Sequence, residues 1–281
     1  MTLILLAILK IAVSALVFAI GLRSTLADLT FLWRHPLLML RSFVVMYVLV
    51  PLSVIGLMYL LPVSTMTKAA LLVLAVSAGA PLLPRKLDMG SSSAYVFSLM
   101  VTSSLLAILL VPIAVTLLNQ HFGTHEDISA STVAWVLAKA FLLPLLAGML
   151  VQWVFPRVSE RYSDKLMGVA GILLAGAAVI LLASHWQVFA LIHWRDVAVL
   201  MFAMLVAVGL GHVLGGPDPD NRTVLAIACA TRHIGIAVLV ASAFPNTNTL
   251  AIVLAYSLAS AAVSIPYLFL RGKKHPPNAS V

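Results

Sequence analysis

The sequence predicts an all-α polytopic membrane protein, and three observations carry that prediction. Of the residues, 62% are hydrophobic and only 9% charged, whereas soluble domains carry about 25% charged residues. Apolar runs of about 20 residues recur along almost the whole chain, each long enough to cross a bilayer as a helix. The alternating segments of roughly ten residues that mark a transmembrane barrel do not occur.

Nine membrane elements follow, at 2–22, 36–60, 67–90, 92–118, 131–154, 165–184, 194–214, 222–244 and 248–270. The first lacks the basic start and the small-residue cleavage site of a signal peptide, so it reads as a retained helix. The second, fourth, fifth and ninth each carry a proline (Pro51, Pro112, Pro144, Pro266), which membrane helices tolerate singly. The third is different. Its SAGAPLLPRK stretch sets Gly79, Pro81 and Pro84 into the apolar run, and each proline removes a backbone donor and collides with the preceding turn. The sixth and seventh are plain. In the eighth, TRHIGIA breaks the run with polar residues and Gly235. Backbone carbonyls freed at such breaks need other partners, so breaks survive only inside protein or beside a watery cavity.

The two broken elements are placed alike: each follows two plain helices and precedes one long one. Elements one to four thus correspond to six to nine, and an offset of five spans inverts one half against the other. Paired broken helices in inverted repeats point to a secondary transporter with a midplane site. The chain divides into a first repeat (1–118), a fifth helix plus second repeat (119–271) and a disordered cytoplasmic tail (272–281).

Loop charge sets the orientation. One side receives Arg23, Arg34, Arg157, Arg161, Lys165, Arg222, Arg271, Lys273 and Lys274, while the other receives Lys68 and Arg195. That asymmetry places the N-terminus outside and the C-terminus in the cytoplasm, in a multi-pass protein of the inner cell membrane. The net charge of +8 is scattered over these loops rather than gathered in a patch, which argues against nucleic acid as a partner. A single cysteine, Cys229, excludes an internal disulfide and a thiolate metal cluster.

All nine acidic residues fall in loops or at helix ends, while Lys10, Lys139 and Arg232 fall inside spans. Arg232 therefore has no carboxylate partner at its own depth, where a charge is costly. Two readings stand. Either Arg232 bonds carbonyls freed by the break, or its guanidinium faces a central cavity and pairs with a transported carboxylate, sulfonate or phosphate. The two lysines have stems long enough to snorkel. His233 can shuttle a proton or sit hydrogen-bonded in the core. Ser98 and Thr102, four apart, share one helical face and can ligate a cation or bond their own i−4 carbonyls. Ser77, at the first break, joins that group. Thr231 and Cys229 read chiefly as packing residues, and Thr231 also stands beside Arg232 at the break. No HExxH, no GxSxG and no glycine-rich phosphate loop occur, so the sequence points away from an enzyme.

These residues resemble the bile acid:sodium symporter superfamily, which also includes arsenite exporters and organic-anion carriers. The likeness is carried by residues 228–237 (ACATRHIGIA), by SSSAYVFSLMVTSSLLAILLVPIAV and by VFAIGLR, and it begins one helix late. It implies a panel and a core domain, with two discontinuous helices crossing at the substrate and ion site. The family's sodium-ligating Glu falls on Ala228, its Gln on Arg232 and its Asn on His233, and Ser98 and Thr102 match positions that help hold one sodium ion. The small and polar residues of the first crossing are replaced by Ala80–Pro81–Leu82–Leu83–Pro84–Arg85–Lys86. Exchanging a carboxylate for a guanidinium opposes a cation: at about 5 Å and an effective dielectric near 20, like charges repel by roughly 3 kcal/mol.

The expected function is transport of a small organic anion by alternating access with sodium coupling lost or reduced. Arg232, His233, Thr231 and Ser77 would hold the substrate, with Ser98 and Thr102 at any ion site. Catalytic residues, resident metal and cofactor are not expected, though Na+ or H+ could supply the coupling. Competing readings are a conventional sodium symporter, a metalloid exporter using Cys229 and a non-transporting membrane sensor.

Overall fold

A computed structural model describes residues 2–61, 64, 67–68, 71, 75, 93–122, 130–184, 194–231 and 248–274, and among them no strand occurs. The helices are α1 (Thr2–Gly21), α2 (Leu26–Arg34), α3 (Pro36–Leu60), α4 (Ser93–Phe122), α5 (Ala130–Leu137, Ala138–Leu142 and Leu143–Val154 in succession), α6 (Pro156–Ser184), α7 (Trp194–Leu214), α8 (Pro219–Ala230) and α9 (Asn248–Lys274). Among the described residues α3 and α7 are each long and apolar enough to cross a membrane, and the pair Ile11–Gly21 and Leu26–Arg34 would add a third span if counted as one. Most of the expected third element and residues 232–247 of the eighth and its following loop lie outside the described residues.

Helix α2 falls where the sequence reading left a connection. It stands at 86° to the end of α1. Its start is set by a capping box: Thr25 Oγ1 accepts from the Asp28 amide at 3.3 Å, and the Thr25 amide donates to Asp28 Oδ2 at 2.8 Å. Asp28 in the first turn and Arg34 in the last complement the helix dipole. Pro36 closes it by disfavouring helical backbone at His35, which sits at φ −121°, ψ 70°. Hydropathy reports burial in lipid, not helicity, so a nine-residue helix with charged ends escaped it. The same holds for α6, which begins at Pro156 rather than 165 because its first turns are helical but polar and exposed.

Two helices widen to π geometry, at Val44–Leu49 in α3 and Ala138–Leu142 in α5. Each widening lies just ahead of a proline, Pro51 and Pro144. A proline ring clashes with the carbonyl four residues back, and an extra residue in the turn relieves that contact. Lys139 lies on the exposed side of α5 with Nζ 4.4 Å from the centre of the Trp135 ring, the posture of a snorkelling lysine.

Two apolar clusters meet on α4. Val17, Phe97, Met100, Phe141 and Leu145 join α1, α4 and α5. Leu32, Met46, Tyr95, Leu99, Leu225, Ala228 and Cys229 join α2, α3, α4 and α8. In the first group α1 and α5 touch backbone to backbone: a Cβ on Gly21 would strike the Leu145 carbonyl, and one on Gly148 the Phe18 carbonyl. Small residues at helix crossings serve this purpose in membranes, where dispersion contacts replace the hydrophobic effect as the driving force.

Candidate functional site

Helix α8 is buried at every residue from Thr223 to Ala230. It stops at Ala230, inside the protein, and Thr231 leaves it in extended backbone (φ −101°, ψ 125°). The expected interruption at TRHIGIA therefore begins where the polar residues begin. The last helical bond and one carbonyl freed beyond it both find extra donors. Ile227 O accepts from the Thr231 amide at 2.9 Å and from Thr231 Oγ1 at 2.7 Å. Ala230 O accepts from Tyr256 OH at 2.7 Å and from Ser260 Oγ at 2.9 Å, both on α9. The same helix grips the other end of α8, where Arg271 Nη2 donates to Pro219 O at 2.6 Å and Nε to Thr223 Oγ1 at 3.1 Å. Helices α8 and α9 thus run antiparallel.

Of the sequence-derived site residues, Thr231 sits half-buried at this break. Arg232, His233 and Ser77 lie outside the described residues. Ala228 and Cys229 are buried in the apolar cluster around Tyr95 and Leu99, so Cys229 packs as a small hydrophobe.

Ser98 and Thr102 share a buried face of α4, and both hydroxyls are engaged. Ser98 Oγ donates to Leu29 O and accepts from the Leu32 amide, each at 2.9 Å, which ties α2 to α4. Thr102 Oγ1 donates to Ser98 O at 2.7 Å, the i−4 back-bond of membrane helices. One turn on, Tyr47 OH donates to Ser103 O at 2.9 Å. Tyr95 completes the polar contacts: Ser42 Oγ donates to Leu38 O at 2.6 Å and meets Tyr95 OH at 2.8 Å, so the tyrosine is the donor in that pair. Among the described residues no group of three His, Cys, Asp or Glu side chains could hold a metal ion.

Sequence reasoning passed over Tyr256 and Ser260. The available signal was their spacing, two hydroxyls four apart on an otherwise apolar run, which places them on one face. It likewise passed over Leu29 and Leu32, whose backbone groups are the partners of Ser98.

Ser98→Ala is expected to remove both bonds that tie α2 to α4 and cost about 1–3 kcal/mol of stability. Thr102→Val removes a donor from a carbonyl that keeps its helical partner and is expected to cost at most about 1 kcal/mol. Thermal unfolding in detergent, with and without sodium chloride, checks both: a sodium-induced rise in Tm that Thr102→Val abolishes would make Thr102 an ion ligand.

In comparison with known proteins, the family model described as Sodium Bile acid symporter family matches residues 10–194. That stretch contains Ser98 and Thr102 and ends before α8. No curated protein matches the chain.

Proposed function

We propose that this chain, which belongs to the Sodium Bile acid symporter family, is a secondary transporter that moves a small organic anion by alternating access without dependence on sodium. The observation that carries the reading is the termination of α8 at Ala230, in the interior, two residues before an arginine whose apolar run holds no acid. Unwound backbone inside a membrane protein lines a cavity or is buried by partners, and a half-helix end beside a cation is how transporters of this kind present a site at the midplane. Arg232 supplies the fixed positive charge that an anion needs, with His233, Thr231 and Ser77 completing its surroundings. The nine-element inverted-repeat arrangement, with the N-terminus outside and the C-terminus cytoplasmic, is part of this proposal.

Sodium is the point of difference from the family name. A hard cation calls for oxygen ligands, one of them anionic by preference. Position 228 offers a methyl group within an apolar cluster, and a guanidinium follows four residues on. The conventional sodium symporter remains the second reading, favoured by the family match over the stretch that holds Ser98 and Thr102.

The test is counterflow and initial uptake of labelled carboxylates, sulfonates and a bile acid in proteoliposomes, in sodium, potassium and choline media. Counterflow of at least one anion, at equal rates in the three media, is expected. Absence of any counterflow would overturn the transport reading, and uptake confined to sodium medium would replace it by the second one.

A further inference from the structure

We infer that Tyr256 and Ser260 are positioning residues for the transport site: their hydroxyls hold the end of α8, the task a coupling cation would perform at a bare half-helix terminus. The inference rests on the transport reading and adds to it the groups that keep the site assembled in the absence of sodium.

A carbonyl oxygen has two lone pairs. Those of Ala230 are met by two donors, Tyr256 OH at 2.7 Å and Ser260 Oγ at 2.9 Å. Ala230, Tyr256 and Ser260 are 0%, 3% and 4% exposed, so water does not compete for these bonds and each is worth more than at a surface. The Ile227 carbonyl is met twice as well, by the amide and the hydroxyl of Thr231. The C-terminal end of a helix carries about half a negative charge, and in broken transporter helices that end coordinates the driving cation. Here the last carbonyl of the helix is turned to two hydrogen-bond donors attached to the protein, and it has no lone pair left for a metal ion.

The consequence is mechanical as well as electrostatic. Thr231 is the first residue beyond the clamped carbonyl, so the clamp fixes the point at which the chain leaves α8. Because Arg271 of α9 holds the Pro219 end, one helix bonds α8 at both ends. A site held this way is assembled whatever the medium, whereas a cation-held site is competent only in the fraction of molecules that have bound the ion.

The experiment compares Tyr256→Phe, Ser260→Ala, the double variant and Ser260→Thr in proteoliposomes, with KM and maximal rate for the transported anion measured in sodium and in choline. Each single loss is expected to raise KM a few-fold and the double roughly tenfold or more, the scale of one to two buried hydrogen bonds. Ser260→Thr, which retains the hydroxyl, should stay near the parent value, and the parent KM should be equal in both media. A purely structural role would lower the yield of folded protein and the maximal rate and leave KM where it is. Should the double variant fail to fold, Ser260→Ala against Ser260→Thr decides, since each leaves Tyr256 in place. Parent transport with KM unmoved in Ser260→Ala and Tyr256→Phe overturns the clamp alone. A parent KM that falls with sodium overturns it as well, and a parent that carries no anion overturns it together with the transport reading.

Discussion

Arg232→Ala is expected to abolish organic-anion uptake, and Arg232→Lys to retain part of it. The reasoning is one of elimination among charges. No acid falls in the middle of an apolar run of the sequence, and the alternative occupation for the guanidinium, capping carbonyls freed at the break, is partly taken. Ala230 O is held by Tyr256 and Ser260. Under the proposed function, the anion that pairs with this guanidinium is the transported substrate. Truncating one member of a desolvated, hydrogen-bonded charge pair costs about 2–5 kcal/mol, or roughly 30- to several thousand-fold in apparent affinity. Lysine keeps the charge but lacks the planar fork that meets a carboxylate with two parallel bonds, so an intermediate value is expected. Initial uptake rates in proteoliposomes are the measurement, with Tm of the purified variants showing that they fold. Normal uptake by Arg232→Ala would remove the arginine from the site.

Gly211→Ala is expected to destabilise the fold by forcing α7 and α8 apart. A Cβ there would lie 2.6 Å from Ala226 Cα, 2.7 Å from Leu225 O and 2.8 Å from Ala226 N. All three atoms are backbone, so no side-chain rotation can make room, and α7 must draw away from the enclosed stretch Thr223–Ala230. Overpacking of this kind costs about 1–3 kcal/mol or more, and the displacement would travel along α8 to the break. Gly209, two residues earlier on the same helix, is the internal control, because its Cβ would meet nothing within 4 Å. Gly209→Ala is expected to leave Tm unchanged or raise it, since alanine is favoured over glycine by about 1 kcal/mol in helix interiors. Equal effects of the two substitutions would mean that close packing at Gly211 is not what holds α8.

The helices legible in the sequence were those made by lipid. Apolar runs at 36–60 and 194–214 coincide with α3 and α7, and those at 2–22, 92–118 and 248–270 differ from α1, α4 and α9 only at their ends. Helix α2 was written in a different signal, the Thr25–Asp28 capping box, which hydropathy ignores. At the site, the TRHIGIA interruption was visible as polarity within an apolar run, and its first residue, Thr231, is where α8 ends. The hydroxyl pair Ser98 and Thr102 was visible too, but its bonding was not: Thr102 uses the local i−4 option, whereas Ser98 bonds a helix 66 to 69 residues away in the chain.

By itself, then, the sequence determined the membrane class, the positions of most helices and the polar interruption that begins at Thr231. Those properties depend on each residue's preference for hydrocarbon or water, and that preference is local. Only the tertiary structure decided which groups answer the broken backbone, because hydrogen bonds between Ala230 and residues 26 and 30 positions later exist only once α8 and α9 lie side by side. Hydrophobicity can be summed along a chain, but the partner of a carbonyl is settled by which helix packs against it.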